Sequence, residues 1–170
     1  MTTTVSAPAT RPYDFTRVYQ DGIIAGILGA VTVAVWFLIF DTARGRPLYT
    51  PSILGTALFG RGASLASLEA TPVSGNMVLM FTWVHGMIFA GLGGIAAWLL
   101  AVAERFPHVG FGIILLFVVF EACFTIAAYL LAAPILHALT WPAVVIANLL
   151  AAAVMAGYLW WRHPALHVEP

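Results

Sequence analysis

Glu121 lies inside an apolar run, Phe111 to Leu131, that is long enough to cross a bilayer. A carboxyl group near mid-membrane is costly, and by default it marks a functional group or a required internal partner. Three other side chains are placed to work with it. His85 lies in the second apolar run and Asn148 in the fourth, while Thr125 is one turn from Glu121 on the same helical face. With neighbouring helices antiparallel, Glu121, His85, Asn148 and Thr125 are expected to form one internal polar layer, with Tyr129 nearer the surface.

Such a layer supports three chemistries. It can be structural, with Glu121 neutral or paired to His85 and Asn148 completing the hydrogen bonds. It can move a proton or cation, with Glu121 as the binding group and His85 as its relay partner. It can hold a cofactor, with His85 as the single ligand of a haem iron or a chlorophyll magnesium, since neutral imidazole is a common metal ligand. A two-histidine haem is disfavoured, because His137 is sixteen residues past Glu121, about 24 Å along a helix. His108, His163 and His167 fall in loops or the tail and are expected to be solvated.

The elements that must position these groups follow from composition. The chain has 170 residues, of which 62% are hydrophobic and 8% charged. A water-soluble domain carries about 25% charged residues, so the bilayer is the expected solvent. Four apolar runs, 22–40, 77–103, 111–131 and 142–161, approach or exceed the roughly 20 residues a span requires. The expected fold is all-α: a four-helix transmembrane bundle over 21–164, with a flexible segment 1–20 before it and a tail 165–170 after it. The first run starts too late and is too long for a cleaved signal peptide.

Segment 41–75 is long for a small bundle. Thr50-Pro51 reads as a helix start and Gly60 as a stop, which gives a short interfacial or re-entrant helix between spans one and two. Ala63–Ala70 is expected to add a second amphipathic turn. Asp41 is expected to make a surface ion pair with Arg44 or Arg46. Arg44, Arg46 and Arg61 together offer a contact for lipid headgroups. All seven basic residues are arginine. Arg11, Arg17, Arg105 and Arg162 fall on the side of the termini and the other three on the opposite side, which favours cytoplasmic termini. Trp160 and Trp161 look interfacial, with Arg162 snorkelling beside them.

Leucine burial cannot drive association among lipid tails, whereas close approach at small residues can. Gly22, Gly26 and Ala30 on the first span, and Gly86, Ala90 and Gly94 on the second, are the expected packing faces. They serve contact within the bundle or contact with another subunit equally well.

Several functions are disfavoured. Cys123 is the only cysteine, which leaves no disulfide or CxxC pair and argues against a four-helix thiol oxidoreductase. No basic block suggests nucleic acid. The sequence has no nucleophile elbow, HExxH, phosphate loop or paired mid-membrane carboxylates, so neither an enzyme nor a metal centre is expected. Small multidrug transporters carry an embedded glutamate in the first of four helices; here it falls in the third.

The stretch from Asp41 to Phe59, DTARGRPLYTPSILGTALF, together with the His85 helix and the terminal Trp-Trp-Arg-His-Pro, resembles small bacterial integral membrane proteins with four predicted spans. The likeness covers about Asp21 to Pro164. It implies a multi-pass protein of a bacterial inner membrane and carries over no catalytic residue. The reading most consistent with these features is a non-catalytic accessory, assembly or scaffold subunit. Its expected partners are membrane lipids and either another membrane protein or a second copy.

Overall fold

The computed structural model describes residues 15–60, 72–105 and 141–162. Four helices run through them: α1 Phe15–Ala43, α2 Tyr49–Phe59, α3 Gly75–Arg105 and α4 Trp141–Arg162. The chain is an all-α bundle in which α1, α3 and α4 are each long and apolar enough to cross a membrane. The apolar run 111–131 lies outside the described residues, as does the turn expected at Ala63–Ala70.

The long helices overrun their apolar runs. α1 begins at Phe15, within the segment 1–20 expected to be flexible. With 29 residues it is about 44 Å long at 1.5 Å per residue, against roughly 30 Å of hydrocarbon. Helical hydrogen bonding needs no apolar side chains, so the helix continues through the interface, where Phe15 and Tyr19 stand exposed.

Burial on α1 follows a helical stripe of Val18, Asp21, Gly22, Ala25, Gly26, Gly29, Ala30 and Val33. The stripe is made largely of small residues. The outward face carries Ile23, Ile24, Ile27, Val31, Val35, Leu38 and Ile39, all exposed. Among the described residues no large side chain is fully buried. This is the reverse of a water-soluble core and matches helices held by close contact with their large aliphatics turned to lipid.

α3 and α4 both pack on α1, and each runs antiparallel to it. Gly22 meets Gly93 and Gly94 of α3, and Gly26 meets Phe89 and Ala90. A methyl group added at Gly22 would stand 2.7 Å from the Gly93 carbonyl oxygen, and one at Gly26 would collide with the Phe89 carbonyl. Only glycine permits this approach. α4 reaches α1 through buried alanines and also through longer side chains. The sulfur of Met155 sits against Gly29, and the Trp36 indole N–H donates to the Ala143 carbonyl at 2.9 Å. Ala25, Ala97, Ala101 and Leu159 join one end of the bundle, and Val33, Ala147 and Ala151 the other. Arg105 therefore closes α3 beside the start of α1, while Trp141 opens α4 at the opposite end.

α2 is anchored by polar groups. Asp41, 3% exposed, accepts from the Thr50 N–H at 2.7 Å and from the Thr50 hydroxyl at 2.8 Å. Thr50 is thus held within the first turn, whereas the expected cap position falls to Leu48, whose φ is 62°. The left-handed conformations of Gly45, φ 72°, and Leu48 fold the turn back so that α2 can meet Asp41. At the helix end the Gly60 N–H donates to the Thr56 carbonyl at 2.7 Å. Ser52 accepts from the Ser74 N–H at 2.9 Å, and Gly55 lies against the Met77 backbone. These bonds fix α2 on the start of α3.

Candidate functional site

The expected polar layer divides into a described part and one outside it. Glu121, Thr125, Tyr129, Cys123, His137 and Arg61 lie outside the described residues. His85 and Asn148 are described, and they are not level with one another. His85 is placed on α3 beside the Ala30 backbone of α1. The neighbouring Gly29 meets Met155 of α4, seven residues and about 10 Å from Asn148. Asn148 is also exposed, on the side of α4 next to the Ala147 and Ala151 contact. The expectation that the two lie level rests on the midpoint of each apolar run, whereas α3, with 31 residues, and α4, with 22, do not register at their midpoints. Thr82, one turn from His85, bonds its hydroxyl to the Val78 carbonyl at 2.7 Å, which satisfies it within its own helix.

His85 is the centre of an aromatic ladder. Its ring stacks on Phe81 at 5.5 Å and meets Phe89 at 4.6 Å between centroids. The spacing of four brings all three rings to one face of α3. The Nε2 atom is buried without a hydrogen-bond partner among the described residues. No group of three His, Cys, Asp or Glu side chains among the described residues is disposed to hold a metal ion.

The glycine faces are placed unequally. Gly22 and Gly26 lie within the α1–α3 contact, with Ala90 and Gly94 opposite them and Ala30 buried beside it. Gly86 has nothing within 4 Å of an added methyl among the described residues, so it falls outside that contact.

Two acidic sites were not legible as internal groups. Asp21, 7% exposed, receives the Arg162 guanidinium at 2.9 Å and 3.0 Å, and the Tyr158 hydroxyl stands 3.5 Å away. Arg162 thus clamps the end of α4 to the start of α1 instead of only snorkelling. Asp41 bonds Thr50 and is buried, which corrects the expected surface pair with Arg44 or Arg46. Those two arginines also stack on rings: Arg44 over Phe40 at 4.3 Å and Arg46 over Tyr49 at 3.6 Å. The available signal was an acid at each border of the first apolar run, where an unpartnered charge would be costly.

No family model matches the chain, and no curated protein or solved structure matches it either.

Proposed function

We propose that this chain is a non-catalytic accessory, assembly or scaffold subunit of a larger complex in a bacterial inner membrane. The observation that carries the reading is the flank of α4 beside its contact with α1. Asn148, Ala152 and Ala156 recur at intervals of four, and all three are exposed. An amide turned to hydrocarbon is unfavourable, and small residues beside it let another helix approach closely enough to hydrogen-bond. The polar groups buried elsewhere support the same reading. Asp21, Asp41, Thr50 and Ser52 are the buried polar residues among those described, and each joins one segment of the chain to another.

The test is gentle purification from the native membrane, comparing the wild type with an Asn148→Leu, Ala152→Leu, Ala156→Leu triple variant whose helicity is checked by circular dichroism. Stoichiometric co-purification with a larger complex, lost in the folded variant, is the expected result. A wild-type protein that purifies alone and conducts protons in a flux assay, with activity abolished by Glu121→Gln, would overturn the proposal in favour of transport.

A further inference from the structure

Asn148 has a counterpart on α3. Trp83 is 71% exposed, and Asn148 is exposed as well. Neither side chain makes a hydrogen bond among the described residues. Belt tryptophans lie at the ends of spans, but Trp83 does not. It is two residues from His85, which sits beside Ala30. That places Trp83 level with the middle part of the uncharged stretch between Asp21 and Asp41 of α1. An indole N–H without an acceptor is unfavourable in hydrocarbon. Trp83 can only donate, and the Asn148 side-chain carbonyl can accept.

Their surroundings match too. Trp83, Met87 and Gly91 form one row at intervals of four, and Asn148, Ala152 and Ala156 form another. All six are exposed, so the rows do not meet within one chain. α3 and α4 run in the same direction, and Trp83 and Asn148 differ in depth by about one helical turn. The longer indole tilts toward the start of α3, which narrows that difference. Laid side by side, the rows set Trp83 at Asn148, Met87 at Ala152 and Gly91 at Ala156, a ridge of large side chains against a trough of small ones. We infer that the two rows meet between copies of this chain, with the Trp83 indole N–H of one donating to the Asn148 carbonyl of the next. Copies inserted the same way round hold equal groups at equal depth, so lateral approach alone brings donor to acceptor. The contact joins unlike surfaces and repeats head to tail until a ring closes. The inference rests on the α4 flank being a docking surface, as proposed above, and names a second copy as what docks there.

The experiment uses the full chain in detergent. Native mass spectrometry of the purified wild type should show a closed oligomer. Gly91→Leu should give monomers, although an added side chain meets nothing within 4 Å in its own chain, and circular dichroism should show the variant folded. Trp83→Phe, which keeps a ring and removes the N–H, should weaken association about three- to tenfold. In a Cys123→Ser background, two differently tagged copies are co-expressed, one with Met87→Cys and the other with Ala152→Cys. Oxidation should join them, whereas Ile24→Cys on the outer face of α1 should not join Ala152→Cys. A monomeric wild type, or equal cross-linking in the control pair, would overturn the inference. A monomer that still co-purifies with a larger complex would remove the second copy and leave the accessory role standing. An oligomer that no other protein accompanies would support the second copy and remove that role.

Discussion

Asp21 and Asp41 stand about 30 Å apart on α1, the thickness of the hydrocarbon layer, and each carboxylate is bonded to a different part of the chain. Asp21 holds Arg162 at the end of α4, and Asp41 holds Thr50 at the start of α2. Between them α1 carries no charged residue. The two acids bound the uncharged stretch of α1, and each also closes the bundle at its own end.

The pair at Asp21 should behave as a coupled unit. Asp21→Asn and Arg162→Gln are each expected to lower the thermal midpoint of the detergent-solubilised protein. The double variant should lose less than the sum, because either change alone already breaks the contact. Additive losses in the double-mutant cycle would show that the two side chains act independently.

At the other border, Thr50→Val removes the hydroxyl and leaves one Asp41 oxygen unbonded in a buried site. The expected cost is about 1–3 kcal/mol. Hydrogen exchange should quicken across 49–59 while α3 and α4 keep their protection. Uniform loss of protection would place Thr50 in the global core instead of in the attachment of α2.

The α1–α3 contact predicts an asymmetry among glycines. Gly26→Ala puts a methyl into the Phe89 carbonyl, and overpacking of this kind costs about 1–3 kcal/mol or more. Gly157 on α4 has nothing within 4 Å among the described residues, so Gly157→Ala should be neutral or stabilise by up to about 1 kcal/mol through helix propensity. Thermal unfolding of the two variants side by side makes the comparison.

His85→Phe tests the buried imidazole. Phenylalanine keeps a ring between Phe81 and Phe89 and removes a nitrogen that has no partner among the described residues. An unmet buried polar atom costs about 1–3 kcal/mol, so the thermal midpoint should hold or rise. A clear fall would mean that the imidazole is bonded, to the Ala30 backbone beside it or to a group beyond those described.

The long helices were readable because apolar runs of spanning length have few alternatives, and α2 because proline and glycine bracket it. Gly22 and Gly26 could be read as a close-approach face for the same reason: two glycines four apart leave the backbone bare. Their opposite face was harder to read. Gly86-Ala90-Gly94 and Gly93-Ala97 overlap on α3, and only the docked helix separates Gly93 from Gly86. The depth of Asn148 was not legible, because run length gives a span's extent and not its register against a neighbour. Asp21 and Arg162 are far apart in the chain and each sits at a border, where a lone charge is ordinarily solvated. Their pairing depends on α4 ending where α1 begins.

The two contacts made by α1 differ in mechanical character. Against α3 it rests mainly backbone on backbone around Gly22, Gly26 and Gly93, with the Phe89 ring against Gly29 beside them, so sliding or rotation there would break many atomic contacts at once. Against α4 it rests on Ala147 and Ala151 near Val33 and otherwise on a thioether, an indole and a guanidinium, each of which can swing through several rotamers while staying in touch. If the molecule adjusts its shape when something docks on it, α1 and α3 should travel as one rigid block. The fourth helix is then the element able to shift, and it is the one whose exposed flank carries the amide.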